Sequence, residues 1–228
     1  KAAFAAISGA PFTPMRPSVG KPELSYGIVP NFGTPTKPQG GKAMFVISAG
    51  EARAPGQKGY DAGSVCSWDK GYASGYPTGF PKQGTCGTTG EPHDGAALDL
   101  NIRVPTNAKT MKFNFRFFSC EYPVYTCSTF NDVFAALMFP DPLPMGDPMS
   151  PNIAFENTAS GKKNVIGVNN ESFFTACKPG AAAKGNYPNC KGEADLMGSG
   201  FETHAASAWL ESQVPVKPGT IVTLRLAI

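Results

Sequence analysis

The sequence predicts an all-β fold, a β-sandwich or jelly roll with long disulfide-stapled loops. Three observations predict it. Short runs of apolar or alternating residues recur about every ten residues, separated by turn residues. No long segment with a 3.6-residue period competes with them. Six cysteines, an even count, are spread through 228 residues with no C-x-x-C spacing among them.

The elements follow in chain order. Residues 1–26 are rich in Pro and Gly and read as an extended arm, with a sandwich domain over 27–228. Tyr26-Gly-Ile-Val is a short first strand, and Ala43-Met-Phe-Val-Ile-Ser a buried one. A long loop from Gly50 to Gly95 holds Cys66, Trp68, Tyr72, Tyr76, Phe80 and Cys86. Ala97-Leu-Asp-Leu-Asn-Ile-Arg-Val alternates, as a half-buried strand does, and so does Met111-Lys-Phe-Asn-Phe-Arg-Phe-Phe. Val133 to Phe139 is apolar throughout and reads as a fully buried strand. Asn152 to Phe155 and Asn164 to Val168 flank a turn at Ser160-Gly161. Ala205 to Leu210 and the alternating Thr220 to Ile228 close the chain, the latter after a Pro218-Gly219 turn.

Composition narrows the function. Charged residues are 16%, below the ~25% typical of soluble domains. The net charge of +3 is scattered, with no basic run to track a phosphate backbone, so a nucleic-acid partner is not expected. No stretch approaches the ~20 apolar residues of a membrane helix. The cysteines suit an oxidising compartment, outside the cell or on its outer surface. Six cysteines allow fifteen pairings. The simplest is sequential: Cys66 with Cys86, Cys120 with Cys127, and Cys177 with Cys190.

The chemistry-bearing segment lies between two strands, from Phe118 to Val133. It contains Glu121, Asn131 and Asp132, all hard oxygen donors, in a loop that Cys120 and Cys127 could pinch. Carboxylates and backbone carbonyls in a constrained loop suit calcium, which takes six to eight oxygens. Alternatively Asn131 and Asp132 cap a turn through side-chain to backbone bonds. A catalytic triad is not indicated: no G-x-S-x-G occurs, and His93 and His204 are the only histidines. The aromatic series Trp68, Tyr72, Tyr76 and Phe80 suits a glycan-stacking surface, or a loop packed on its own rings.

The run Phe115-Arg-Phe-Phe-Ser-Cys-Glu-Tyr-Pro, followed by Phe130-Asn-Asp-Val-Phe, resembles the signature of the choice-of-anchor L domain family. Its pattern is F-x-F-x-(S/T)-x-E-(Y/F)-P, then F-N-D-x-F. Ser48 to Gln57, Val104-Pro-Thr-Asn-Ala, Val168-Asn-Asn, Gly198-Ser-Gly-Phe, and Trp209-Leu before Pro215-Val-Lys-Pro-Gly agree in order, over roughly residues 27 to 228. The myxobacterial branch looks closest. The resemblance implies a secreted bacterial β-sandwich with surface or adhesive roles. By analogy its acidic positions are Asp94, Glu121, Asn131 and Asp132, the expected calcium ligands.

Members of that family continue past the strand ending at Ile228 with an acidic loop and a further strand. The sequence stops before it, which predicts an open sheet edge. The apolar start, Lys1 to Ile7, is a candidate donor strand for another copy. The expected role is a structural or adhesive surface protein that assembles into oligomers or filaments by strand exchange. The alternative is a calcium-dependent glycan-binding module. A polysaccharide hydrolase using Glu121 ranks below both, and the chain is not expected to be an enzyme.

Overall fold

The computed structural model describes residues 24–62, 66, 86–87, 90–178 and 183–228. Residues 1–23, including the donor-strand candidate, lie outside it, as do Trp68, Tyr72, Tyr76 and Phe80. Strands β1 (Tyr26–Val29), β2 (Met44–Ile47), β3 (Ala97–Arg103), β4 (Thr110–Phe115), β5 (Phe118–Ser119) and β6 (Val133–Phe139) are followed by β7 (Phe155–Asn157), β8 (Lys163–Gly167) and β9 (Phe174–Cys177). Then come β10 (Ala205–Ser207), β11 (Leu210–Pro215) and β12 (Ile221–Ala227).

Every strand pairing is antiparallel, and the result is sandwich-like. One layer is the five-stranded sheet β3-β12-β6-β8-β7. The other is built from β11-β4, which runs on into β5-β10-β9. The two pieces of this layer meet at Arg116 and Ser207. The Ser207 hydroxyl accepts the Phe117 N–H at 3.0 Å, and Arg116 Nε donates to the Ser207 carbonyl at 3.0 Å. Phe115 and Phe134 meet across the layers, ring centroids 4.8 Å apart.

Alternation explains which side chains fill the core. Leu100 and Ile102 of β3, Val222 and Leu224 of β12, and Ile166 of β8 point inward from the large sheet. Met111, Phe113 and Phe115 of β4 and Val214 of β11 answer from the other layer. Each such side chain contributes about 1.5–3 kcal/mol when fully buried. β6 is buried on both faces, as its unbroken apolar run predicted: Ala135 to Met138 are all at 1% exposure or less. A polar pin sits among them. Asn152, wholly buried, accepts the N–H groups of Ala136 and Ala154 and donates to the Ala154 carbonyl, each at 3.0 Å.

Two strands escaped the sequence pattern. β11, Leu-Glu-Ser-Gln-Val-Pro, has a polar Ser212 facing inward, where its hydroxyl donates to the Ile153 carbonyl. β9 begins at Phe174, the second residue of the Phe173-Phe174 pair, and shows a single alternation, too short to register. The strand ending near Ile228, β12, lies inside its sheet, hydrogen-bonded to β3 on one side and β6 on the other.

The sequential disulfide pairing is overturned at two bridges of three. The bonds are Cys66–Cys120, Cys86–Cys127 and Cys177–Cys190. Only the last closes a local loop, 13 residues apart; the others span 54 and 41. The physical reason is that the 120–127 loop and the long aromatic loop meet in space. Gly90 N–H donates to the Thr129 carbonyl at 2.9 Å, and Cys86 N–H to the Asn169 carbonyl at 3.2 Å. Gly87, at φ 67°, lies so near Cys127 that a Cβ there would be 2.6 Å from its carbonyl carbon.

Candidate functional site: a laced acidic and aromatic loop

The end of β5 and the start of β6 bracket the loop from Cys120 to Asp132. A closed circuit of hydrogen bonds ties its two ends. The Ser119 hydroxyl donates to Asp132 Oδ2 at 3.0 Å, Asp132 N–H donates to Glu121 Oε2 at 3.0 Å, and Glu121 N–H donates back to Ser119 Oγ at 3.2 Å. Asn169, just past β8, holds the middle. Its side chain accepts the Cys127 N–H and donates to the Ser128 carbonyl, both at 2.8 Å, while its N–H donates to Asn131 Oδ1 at 3.0 Å. Gly167 permits this closeness: a Cβ there would be 2.9 Å from the Asp132 carbonyl oxygen.

Three of the four predicted acidic-site residues therefore converge: Glu121, Asn131 and Asp132. Asp94 sits at the approach to β3, nearly buried, with φ 55°. The carboxylates of Glu121 and Asp132 have no Lys, Arg or His ion pair among the described residues. Lost hydration, and then the neighbouring Asp132 charge, push the Glu121 carboxyl up to about 8, against the lowering effect of the Asp132 N–H. Lost hydration also raises Asp132, and the Ser119 hydroxyl opposes it. Beneath them, Tyr122 and Tyr187 stack edge to face at 5.3 Å, and burial raises both phenols. His204 sits beside this pair through a 2.8 Å hydrogen bond from its Nδ1 to the Tyr122 carbonyl.

The donors match calcium in kind, being hard oxygens with no Lys, Arg or His ion pair among the described residues. On side chains alone they fall short in number. Asn131 Oδ1 already accepts a backbone N–H, and Asp94, Glu121 and Asp132 do not bring three oxygens within 4.8 Å of one another. Backbone carbonyls would have to supply the remainder of a shell. The groups of three metal-type donors that do lie this close among the described residues are Cys66/Cys120/His204 and Cys86/Cys127/Glu171. In both, the sulfurs are committed to disulfides.

The outer side of the same loop is apolar. Val124, Tyr125 and Phe130 are 65%, 50% and 60% exposed, and the Tyr125 and Phe130 rings meet edge to face at 5.3 Å. Sequence reasoning missed this patch. Its signal was present, since three large apolar residues in a loop bounded by two strands have no strand face to fill. The two long disulfides add a covalent consequence. They fasten Cys66 and Cys86, the ends of the segment holding Trp68, Tyr72, Tyr76 and Phe80, to Cys120 and Cys127 of this loop.

No helix among the described residues is long and apolar enough to cross a membrane. Three disulfides fit a compartment outside the reducing cytosol. No curated protein and no solved structure matches the chain. The sequence matches the choice-of-anchor L domain over residues 46–228, most of its length, and so the chain belongs to the choice-of-anchor L domain family of secreted or surface proteins.

Proposed function

We propose that this chain is a structural or adhesive protein of the cell surface or extracellular matrix, and that it binds through the face built on the 119–132 loop. The observation that carries this reading is the Val124, Tyr125 and Phe130 patch, exposed on a loop that two disulfides and a closed hydrogen-bond circuit hold in place. A partner meeting such a surface does not have to order it first, which removes a main cost of association. Aromatic rings supply contact area with few rotatable bonds. The test is retention on surfaces coated with extracellular polysaccharide or matrix. Tyr125→Ala combined with Phe130→Ala is expected to weaken retention at least tenfold while moving the melting temperature little, since both side chains are exposed. Unchanged retention in the double variant would sink the proposal.

A second reading is a calcium-dependent glycan-binding module. What favours it is that the disulfides tie the aromatic segment to the loop bearing Glu121 and Asp132. Flat rings pack on sugar faces, and calcium held by Glu121 and Asp132 would neutralise the carboxylate pair. Here glycan-array binding disappears with chelator, and calorimetry records calcium binding that Asp132→Asn abolishes. No calcium heat and chelator-independent binding exclude it. Catalysis is not part of the proposal; turnover of a polysaccharide that Glu121→Gln eliminates would replace it with a hydrolase.

A further inference from the structure

The five-stranded sheet ends on β3, which among the described strands pairs with β12 alone. The ladder shows which of its groups remain unused. Ala96 and Ile228 exchange both hydrogen bonds, at 3.0 and 2.9 Å, and Val104 N–H donates to the Thr220 carbonyl at 2.8 Å. In an antiparallel ladder such exchanging pairs recur at every second residue. Leu98, Leu100 and Ile102 therefore turn their backbone groups toward β12, opposite Leu226, Leu224 and Val222. Ala97, Asp99, Asn101 and Arg103 turn theirs outward, to the free edge. The edge is seven residues long and has neither a proline nor a register shift to block pairing; its only guards are the charges of Asp99 and Arg103.

The side chains decide what fits there. Asp99, Asn101 and Arg103 are exposed on the outer face, with Asp99 held by two 2.6 Å hydrogen bonds from Arg225. Suppose a second β3 pairs antiparallel about a twofold axis. Only registers that oppose outward-facing residues form hydrogen bonds. An axis at Asp99 sets Asp99 against itself, and an axis at Arg103 sets arginine against arginine; like charges directly opposite are unfavourable. An axis at Leu100 sets Asp99 against Asn101, and one at Ile102 sets Arg103 against Asn101, so neither pairs acid with base. An axis at Asn101 sets Asp99 opposite Arg103 of the second copy, twice by symmetry. On the inner face the same register sets Leu100 against Ile102 of the second copy, and both are only partly buried in the single chain. In the other layer, β4 exposes Thr110, Lys112 and Asn114, its lysine already paired with Glu211 at 3.0 Å, and β11 ends in Pro215.

We infer that two copies of this chain join through β3, edge to edge about Asn101, making one continuous ten-stranded sheet. The interface is isologous and closes on itself, giving a dimer and not a fibre. It uses a strand of the described fold and exchanges no segment. It is independent of the binding face proposed above.

The test is the mass of the full chain in solution across protein concentration, by light scattering or sedimentation. A dimer is expected, dissociating on dilution. Asn101→Pro removes an outward N–H and leaves the β12 ladder intact; it is expected to weaken dimerisation at least tenfold with folding preserved by circular dichroism. Arg103→Glu places like charges opposite each other and is expected to do the same. Asp99→Lys combined with Arg103→Glu restores the opposite-charge pairing and the dimer, an outcome that a folding defect would not produce. A wild-type monomer at every concentration overturns the inference. So does a dimer indifferent to both Asn101→Pro and Arg103→Glu, or a concentration-dependent series of ever larger species, which marks head-to-tail pairing.

Discussion

The melting temperature is expected to fall as the pH is raised from 5 to 8, and Glu121→Gln to remove most of that fall. In the unfolded chain the Glu121 carboxyl gives up its proton near 4.5; in the folded protein it keeps it until about 8. Between those values the folded state binds the extra proton. Its stabilising effect is complete below about 4.5 and is lost as the pH rises through the folded value. Each unit of separation is worth about 1.4 kcal/mol. A decline of ~2–4 kcal/mol, or roughly 5–10 °C for a domain of this size, follows. Asp99 and Asp147, whose carboxyls are lowered by Arg225 and Lys163, lose their contributions on the acid side and leave this window clear. A glutamine keeps the acceptor for the Asp132 N–H and adds a donor toward the Asp132 carboxylate, so Glu121→Gln is expected to be the more stable protein at pH 8. A flat or rising profile in the wild type refutes the assignment. Calcium bound at this pair would replace the proton and shrink the pH dependence, so the titration repeated with calcium also tests the metal.

The second large effect concerns the disulfides. Peptide mapping under non-reducing conditions is expected to recover Cys66 joined to Cys120 and Cys86 to Cys127. Cys86→Ser with Cys127→Ser is expected to cost about 4 kcal/mol, from the chain-entropy relation for a cross-link of this span. That corresponds to a fall in melting temperature of roughly 10 °C. The effect on the binding face goes beyond stability. Cys127 N–H donates to Asn169, and without its bridge the loop carrying Val124, Tyr125 and Phe130 is held by hydrogen bonds and by the Cys66–Cys120 bridge at its start alone. Retention on coated surfaces should therefore drop in this variant even at temperatures where it remains folded. Recovery of Cys66 joined to Cys86 would contradict the laced arrangement.

Much of the sandwich was legible because a strand's side chains alternate. β3, β4 and β12 announced their buried faces through Leu100 and Ile102, Met111 and Phe113, and Val222 and Leu224. β6 announced burial on both faces through its unbroken apolar run. β11 was hidden because its inward Ser212 meets a carbonyl and not a hydrocarbon neighbour. The candidate site was half legible. Glu121, Asn131 and Asp132 stood out as oxygen donors in one loop, but their pairing with Ser119 and Asn169 depends on where β5 and β8 end.

The all-β class, the stapled extracytosolic character and the acidic loop are properties of the sequence alone. They rest on local periodicity, on cysteine count, and on residue type within a single short segment. Tertiary structure decided which cysteines join, that β12 lies inside its sheet and β3 at its edge, and that the acidic loop carries an exposed aromatic patch. Those outcomes depend on distances between residues far apart in the chain. Cys86 and Cys127 are 41 residues apart, and only the packed sheets bring them together.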